Sequence, residues 1–337
     1  MNLFQTSAWQ QAWWAEWADT PGAKLLWEGG NGRSGAYVHS YSLAIPVRTR
    51  CLQFVGTSYR KFSTPRTEYN TLESFEDLPL LFGKLEQFDW TEAVFSDVKS
   101  DSGELQAMRE WSLKRGWYLR AIRQDVAYGI DTSGTFDTYL GSLGKHTRLK
   151  LYNRRKIFES EGDVVEENFW PDRASEFFDL LNDFHRVRWG SPCFSGRSIA
   201  FHLDFLERAS ADGIKPLLLV LCNDQRPVSV LYNVLHRGCI YNIQAGYEED
   251  FHKKLALGTL HLGYAIESAF EDPSVGFFDL LAGEGKKTDY KSHLATDKTP
   301  LTTLMVVRSR LFRLLYRIKD LRARLQKLRS VIRRESA

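Results

Sequence analysis

The sequence predicts an α+β protein built from two similar units and a basic C-terminal helix. Three observations predict this class. The second half contains a three-stranded antiparallel meander, KPLLLVLC, VSVLYNVL and CIYNIQAG, separated by the turns NDQRP and HRG. Helical patterns flank this meander and a short strand follows it, and the first half repeats this order approximately, which indicates duplication of one unit. In the tail, apolar residues recur every three or four positions, as on one face of a helix.

The first half alternates short apolar runs with helical patterns. The turn NGRSG separates the first two apolar runs as a hairpin turn does. The ten Trp and 21 Phe of the chain predict large buried aromatic surfaces or aromatic-lined clefts. In chain order we predict a helix at 7–18, strands at 24–28, 36–47 and 51–56, a loop at 57–70, a helix near 72–87, a strand at 91–98, a helix at 103–115 and a last segment at 117–130.

A strongly basic helical segment at 138–161 joins the two halves. At 337 residues the chain is too long for one small core, so two domains are expected. We place the unit boundaries at 1–137, 138–306 and 307–337, the last being the tail helix. The second half is predicted to continue with helices at 173–188 and 198–210, the meander at 215–246, a helix at 259–270 and a strand at 275–282.

Composition excludes several classes of protein. Hydrophobic residues make up 43% and charged residues 26% of the chain, as in ordinary globular proteins. The N-terminus lacks the basic start and apolar stretch of a signal peptide, and no segment approaches the ~18 apolar residues that span a bilayer. Cys51, Cys193, Cys222 and Cys239 show no metal-ligand spacing, so we expect reduced thiols, no metal site and a cytoplasmic location. A Ser-His-Asp pattern is also missing, which gives a hydrolase no support.

The tail concentrates positive charge. From 308 to 337 it holds 11 Lys and Arg residues against Asp320 and Glu335, a net charge of +9 that leaves −6 for the rest of the chain. An anionic partner fits the tail, namely a membrane surface, an acidic protein or the acidic body of the chain itself. We favour a peripheral position at the inner face of the cytoplasmic membrane through residues 308–334. The apolar heptad seam consists of Leu311, Leu314, Ile318, Leu321, Leu325, Leu328 and Ile332.

Positive charge and glycine also precede a predicted helix in the second half. Lys253 and Lys254 come just before Gly258, and Thr259 begins the helical pattern. Helix N-termini present unpaired N–H groups and bind phosphate readily. Glycine lets a ligand approach the backbone closely, and threonine can cap the helix or contact the anion. The pattern predicts an anion site at 253–259, although a solvated lysine pair with a routine cap gives the same sequence.

Four stretches within residues 140–300 carry a family resemblance: LGSLGKHTRLKLYNRRKI, FHRVRW, YNIQAGYEEDFHKKLALGTLHLGYAI and FDLLAGEGKKTDYKSHLA. They resemble the GNAT-type acyltransferases and, within these, the FemAB-like branch and the CelD/BcsL-like acetyltransferases. The first half matches only in outline, as the first of two tandem GNAT-like units. The sequence departs from its relatives at Leu257, where they commonly carry Pro, and in the long turn before Tyr290 and Lys291.

The resemblance implies transfer of an acyl group, acetyl above all, from an acyl-CoA to an amine or hydroxyl. A sugar, a polysaccharide or a cell-envelope precursor is the implied acceptor. The donor's pyrophosphate would lie on the turn at 253–259, with Tyr247 and Phe251 lining the donor site. The acceptor would enter a cleft between the two units.

Acyl transfer needs a group that stabilises the developing oxyanion and a base that takes the acceptor's proton. The resemblance implies Lys291 as the oxyanion stabiliser. Asp279, Glu284 and His185 are the candidates for the base, and the alternative that none of them acts stays open. The candidates for substrate binding are Arg188 and Trp189, which share a helix face with His185, together with Tyr290, Tyr59 and Arg66.

Two alternatives accompany this interpretation. The same fold can use aminoacyl-tRNA as donor and form peptide bonds, as FemAB proteins do, and a basic tail suits contacts with tRNA phosphates. Against this, those proteins carry a helical hairpin inside a GNAT unit, whereas the basic segment here is C-terminal. The second alternative is a catalytically silent module that binds a partner or a membrane through its tail.

Overall fold

The computed structural model of the protein describes residues 2–43, 47–72, 78–283 and 290–335, the side chains of 323, 324 and 327–335 excepted. The strands in this part of the chain are β1 (Ala23–Trp27), β2 (Ala36–Ser42), β3 (Arg48–Phe54), β4 (Glu92–Lys99), β5 (Tyr118–Asp131), β6 (Val164–Asn168), β7 (Lys215–Asn223), β8 (Arg226–His236), β9 (Cys239–Tyr247), β10 (Phe277–Ala282) and β11 (Asp297–Val307). They form one mixed sheet in the order β1-β2-β3-β4-β11-β5-β10-β9-β8-β7-β6.

Helices cover this sheet. The basic segment that joins the halves is not one helix, because it consists of short helical pieces and a π-helical turn at Leu149–Asn153. The described helices are α1 (Ser7–Trp17), α2 (Leu78–Gln87), α3 (Gly103–Lys114), α4 (Phe136–Ser142), α5 (Lys145–Arg148), α6 (Arg155–Glu159), α7 (Ala174–Trp189), α8 (Gly196–Arg208), α9 (Leu257–Glu271) and α10 (Arg310–Glu335).

The sheet contains the same strand arrangement twice. In the first half β1, β2 and β3 are antiparallel, and β3 then pairs in parallel with β4. In the second half β7, β8 and β9 are antiparallel, and β9 pairs in parallel with β10. The predicted class is therefore confirmed: an α+β protein of two repeated units, with mixed, largely antiparallel strands flanked by helices and a C-terminal basic helix.

The two units exchange their next strand. β5, from the first half of the chain, pairs with β10 of the second unit, while β11, from the end of the second half, pairs with β4 of the first unit. β5 and β11 also pair with each other in a long antiparallel ladder from Asp297–Gly129 to Val307–Tyr118. This exchange makes one continuous sheet out of two. The boundaries at 1–137, 138–306 and 307–337 stay a prediction.

The central strand β11 and the edge strand β6 have no counterpart among the predicted elements. Pro300 argues against a central strand because proline has no N–H for a ladder. In the structure Pro300 faces Val126 of β5, and the pairing of β11 with β4 begins only at Leu301. The proline therefore lies at the end of the β4 ladder, where its carbonyl oxygen still accepts from the Ser100 N–H at 2.9 Å and the missing N–H is tolerated.

Aromatic side chains join the two halves. Trp9, Trp13 and Trp17 on α1 are at most 1% exposed. The Trp9 ring meets the rings of Phe201 and Phe205 on α8 at centroid distances of 5.0 Å. Aromatic edge-to-face contacts of this kind add to the free energy gained by burial. These aromatic residues thus form core between the units rather than the wall of a cleft.

The tail helix α10 packs against the first unit. Phe312 and Tyr316 are buried on a cluster that includes Cys51, Met305 and Val307. None of the described helices combines the length and the apolar character that crossing a bilayer requires. All four cysteines are free thiols, two buried and two partly exposed.

Candidate active site

A cleft of about 900 Å³ lies where β9 and β10 diverge. The two strands pair only over 239–241 and 277–279. Just beyond, Ile243 forms a bulge in the ladder between β9 and β8. β10 carries a second bulge between Asp279 and Leu281, and Leu281 has a left-handed φ of 58°. Bulges bend strands and re-aim side chains, so these two open the sheet at this point.

The N-terminus of α9 forms one wall of the cleft. The helix begins at Leu257, two residues before the predicted start, so that Gly258 and Thr259 lie in its first turn and not at its cap. Its N-cap is Ala256, which makes no side-chain capping bond. Within the described chain, the N–H groups of Leu257 and Gly258 have no acceptor, since the first backbone bonds begin with Thr259 and Leu260. Unpaired N–H groups and the helix dipole favour an anion here.

Basic side chains from the linking segment contribute to the same cleft. Lys145, His146 and Lys150 line the cleft. The π-helical turn that carries Lys150 packs closely on α9, because a Cβ on Gly263 would lie 2.1 Å from the carbonyl oxygen of Leu151. π-helical turns frequently occur at functional sites. Residue spacing along the chain does not indicate that these cations meet α9.

The predicted anion-binding lysines lie elsewhere. Lys253 and Lys254 are exposed in the turn before α9 and do not line the cleft. Arg154 donates a hydrogen bond to the carbonyl oxygen of Lys254. Phe251 packs its ring on Phe158, with the centroids 5.5 Å apart. Binding of the donor by these residues stays a prediction.

Aromatic and basic side chains line the cleft beside this helix end. Tyr247 lies against Gly258, where a Cβ would be 2.3 Å from its ring, so glycine is required for this contact. The Arg188 guanidinium lies 4.7 Å from the centre of the Tyr247 ring and pairs with Glu249 at 2.9 Å. Trp189 and Tyr290 line the same cleft, and burial raises the pKa of Tyr290 to about 12.

His185 ties this part of the cleft to the sheet. Its Nε2 lies 3.1 Å from the carbonyl oxygen of Ala245 on β9. Burial lowers the pKa of His185, so the neutral ring donates from Nε2 to this oxygen and leaves a lone pair on Nδ1. The ring lines the cleft and is partly exposed. A neutral imidazole with a free lone pair is suited to accept a proton.

Lys291 and Asp279 hold the bulge of β10 from two sides. Lys291 Nζ donates to the carbonyl oxygens of Leu281 and Ala282, each at 3.1 Å, and burial lowers the pKa of Lys291. Asp279 accepts from the Leu281 N–H at 2.7 Å and from the Tyr69 hydroxyl at 2.8 Å. Burial raises the pKa of Asp279 to about 6. Lys291 lines the cleft, whereas Asp279 is only 4% exposed.

Glu68 completes this group, although the sequence did not indicate it. Its carboxylate accepts from the Ala282 N–H at 3.0 Å and pairs with Arg66 Nε at 3.3 Å. Burial raises the pKa of Glu68 to about 7. The loop at 57–70 brings Glu68 beside β10 from far away in sequence, so only the tertiary structure reveals it. The other base candidate, Glu284, lies outside the described residues.

Tyr59 and Arg66 border a second cleft, of about 620 Å³, in the first unit. Arg66 donates to Asp97 from Nε at 2.9 Å and to Asp125 from Nη1 at 2.8 Å. It also approaches the first cleft, since a Cβ on Gly283 would lie 3.9 Å from Arg66 Nη1. Arg66 therefore lies in the wall between the two clefts. Among the described residues, no group of His, Cys, Asp and Glu is arranged to hold a metal.

Comparison with known proteins identifies a domain family over part of the chain and a similar fold. Residues 145–292 match the family model described as an acetyltransferase (GNAT) domain. The fold is similar to that of FemX, with a TM-score of 0.59 and 11% identity over 93% of this chain and 94% of that one. No curated protein matches the chain.

Two further solved structures are similar. One is a conserved protein of unknown function from Bacteroides thetaiotaomicron, with a TM-score of 0.54 and 10% identity over 90% of this chain and 92% of that one. The other is the C-terminal domain of a putative lysylphosphatidylglycerol synthetase from Agrobacterium fabrum, with a TM-score of 0.52 and 12% identity over 90% and 88%. At such identities the similarities show the fold alone.

Proposed function

Since the chain carries a GNAT-type acyltransferase domain on a FemAB-like fold, we propose that it transfers an acyl group, acetyl above all, from an acyl-CoA to an amine or hydroxyl. The acceptor in this proposal is a small molecule or a glycan, such as a polysaccharide or cell-envelope precursor. A CelD/BcsL-like role and a cytoplasmic location at the inner face of the membrane belong to the same proposal. No metal takes part in it.

One observation carries the proposal: the diverging strands end at an uncapped helix N-terminus. β9 leaves β10 after Tyr241, so the backbone of β9 beyond this point borders the cleft instead of a neighbouring strand. An extended, amide-containing donor arm can bond such an edge as an added strand does. Its pyrophosphate would then reach the free N–H groups of Leu257 and Gly258, with Lys145 and Lys150 nearby.

Lys291 and His185 are assigned the chemical roles. The acceptor nitrogen or oxygen attacks the thioester carbonyl, the carbon–sulfur bond breaks, and the sulfur leaves as thiolate or thiol. Lys291 donates two of its three N–H groups to Leu281 and Ala282 within the described chain, and the third is assigned to the developing oxyanion. His185 Nδ1 is assigned the acceptor's proton, because this ring is neutral and lines the cleft.

Asp279 and Glu68 are assigned supporting roles. Both carboxyls are buried and bond the backbone of β10, Asp279 at Leu281 and Glu68 at Ala282. They fix the bulge against which Lys291 is held. A role for Asp279 or for Glu284 as the base remains a competing assignment.

A second candidate function keeps the fold and changes the donor to aminoacyl-tRNA. The fold is similar to those of FemX and of the domain of a putative lysylphosphatidylglycerol synthetase, and this similarity supports the alternative donor. The basic tail would supply phosphate contacts. A catalytically silent module is the remaining alternative.

Calorimetric binding of acetyl-CoA tests the donor class and its position together. Wild-type protein should bind with micromolar affinity. The double variant Lys145→Glu/Lys150→Glu should weaken binding by about tenfold or more, because it reverses both charges on the cleft wall. The matched variant Lys253→Glu/Lys254→Glu reverses two exposed charges outside the cleft and should bind as wild type.

The outcomes separate the hypotheses. A folded wild-type protein that does not bind acetyl-CoA rejects the acyl-CoA donor and favours aminoacyl-tRNA or a silent module. Binding that is lost only in the Lys253→Glu/Lys254→Glu variant rejects the placement in the cleft and supports the placement predicted from the sequence.

A further inference from the structure

We propose that the outward face of α10 binds an anionic lipid surface. The inference deepens the proposed function, because it names the surface that would hold the protein at the membrane, and it uses a face of the molecule that acyl transfer does not need. It rests on three features of the helix: an exposed apolar stripe, the positive charge around it and the contacts that fix its orientation.

The apolar seam of the tail points away from the protein. Five seam residues lie along one line of the helix, and each is at least 42% exposed; Leu315 beside them is 36% exposed. Large side chains exposed singly are ordinary, but a continuous stripe of them indicates an interaction surface. The five are Leu311, Leu314, Ile318, Leu321 and Leu325.

Contacts on the inward face prevent the helix from turning this stripe inward. Phe312 and Tyr316 are 2% and 6% exposed. The Tyr316 hydroxyl donates to Glu92 Oε2 at 2.5 Å. One turn further, both oxygens of Asp320 accept from the Arg120 guanidinium at 2.7 Å. The outward face is therefore a fixed feature of the fold and not a chance orientation of a loose tail.

The charge around the stripe is almost entirely positive. The tail carries 11 Lys and Arg residues and two acidic ones, and Arg120 pairs with one of these, Asp320. Arg310 and Arg322 are exposed beside the stripe. An apolar stripe rimmed by Arg is the pattern of a helix that lies in the interface of an anionic bilayer.

A second copy of the chain fits this face less well. Pairing two such helices through the stripe would bring arginines of like charge together without acidic partners at the flanking positions. An anionic lipid surface covers the leucines and neutralises the arginines at once. Charge complementarity therefore selects the bilayer.

Docking in this orientation also concerns the second cleft. Lys319 on α10 lines that cleft and follows Ile318 of the stripe directly. Binding of the stripe to a bilayer would bring the rim of the second cleft to the lipid surface.

Co-sedimentation with vesicles tests the proposal. The full chain should bind vesicles of phosphatidylcholine with phosphatidylglycerol, bind pure phosphatidylcholine at least tenfold more weakly, and be released by salt. The variant Leu314→Asp/Leu321→Asp should lose at least tenfold in binding to the anionic vesicles. The matched variant Leu80→Asp/Leu113→Asp changes two leucines that are 65% and 66% exposed on α2 and α3, and should bind as wild type.

A second variant tests the proposal in case the stripe variant fails to fold, and circular dichroism checks that each protein is folded. Arg310→Glu/Arg322→Glu leaves the stripe intact and should also lose vesicle binding. Vesicle binding by the stripe variant equal to wild type overturns the proposal, as does a wild-type protein that ignores anionic vesicles. A wild-type dimer in sedimentation velocity that the stripe variant converts to a monomer overturns it in favour of a second copy. Acetyl-CoA binding should be unchanged in all these variants. If the wild-type protein did not bind acetyl-CoA, the acyl-CoA donor would be rejected, but the proposed lipid contact would not be affected.

Discussion

The two clefts are built on the same strand geometry and differ in the segments that come after the strands. In each unit two parallel strands pair over three positions and then diverge. In the first unit 51–53 of β3 pair with 92–94 of β4, and in the second unit 239–241 of β9 pair with 277–279 of β10. In each, the second strand carries a left-handed residue at a bulge, Asp97 with φ 49° and Leu281 with φ 58°.

The chain takes a different course after the first strand of each pair. After β9 it turns and enters α9, whose first N–H groups face no acceptor within the described chain. After β3 it runs as a loop through Arg66 as far as residue 72, and α2 begins only at Leu78. At the second cleft, Arg66 of this loop and Arg123 of β5 both donate to Asp97.

This difference distinguishes features that belong to the fold of both units from features that belong to the candidate site alone. A strained bulge occurs in both units, so it belongs to the fold and is not by itself a sign of catalysis. Of the two clefts, only the one between β9 and β10 borders an unpaired helix N-terminus within the described residues, and this is the end at which we propose that the donor binds. At the second cleft the charged groups Arg66 and Asp97 pair with each other, which favours a supporting role for the first unit.

The largest expected effect concerns the packing of α9. Gly263→Ala places a methyl group 2.1 Å from the carbonyl oxygen of Leu151, whereas Gly83 on α2 of the first unit has open space around it. Gly263→Ala should lower the free energy of unfolding by about 3 kcal/mol. Gly83→Ala should raise it by about 0.5–1 kcal/mol, because alanine is the better helix former. Urea unfolding of both variants measures this, and equal effects of the two changes would contradict the close contact.

The next effect is a pH dependence of opposite sign at the two clefts. Burial raises the pKa of Asp279 to about 6, so the folded state holds its proton more tightly than the unfolded chain does. The contribution of Asp279 to the free energy of unfolding is then fully present at low pH and is lost as pH rises. Relative to Asp279→Asn, the wild-type free energy of unfolding should fall by about 2 kcal/mol between pH 4.5 and 7.

Asp125 beside Arg66 provides the contrast. Burial acts to raise its pKa, but hydrogen bonds from the Val126 N–H and from Arg66 outweigh it and lower the pKa. Its contribution is present above the unfolded-state pKa and is lost as pH falls. Asp125→Asn should therefore destabilise the protein at neutral pH and cease to matter in acid. Denaturant titrations at several pH values measure the free energy of unfolding of both variants. If the two variants showed the same pH dependence relative to wild type, the opposite pKa shifts of Asp279 and Asp125 would be contradicted.

The smallest effect concerns α10. Tyr316 donates to the buried Glu92 and accepts from Arg60 Nη2 at 2.7 Å. Tyr316→Phe should lower the free energy of unfolding by about 1 kcal/mol, because it leaves part of the carboxyl without a donor. Tyr152→Phe, on a ring that is 36% exposed, should change nothing measurable. Thermal unfolding compares the two, and a neutral Tyr316→Phe would show that the hydrogen bond from Tyr316 to Glu92 does not stabilise the protein.

Local pattern was enough to predict the class of the protein, and the family resemblance pointed to several residues that share one cleft. The meander, the helix after it and the repeat of this order are local, since apolar periodicity and turn residues act over a few positions. The family resemblance over the second half is confirmed by the family model at 145–292. His185, Arg188, Trp189, Tyr247, Gly258, Thr259, Tyr290 and Lys291 were singled out from the sequence, and the structure brings them to one cleft.

Tertiary structure decided what depends on distant segments. The exchange of β5 and β11 results from strand pairing between halves, which no local pattern encodes. Lys145 and Lys150 line the same cleft as the N-terminus of α9, beside the close contact of Leu151 with Gly263, and the loop at 57–70 brings Glu68 to Ala282. The sequence by itself determined which residues can bind an anion or move a proton. Which of them share a cleft was decided by packing, because burial and hydrogen bonding between remote segments fix side-chain positions and pKa values together.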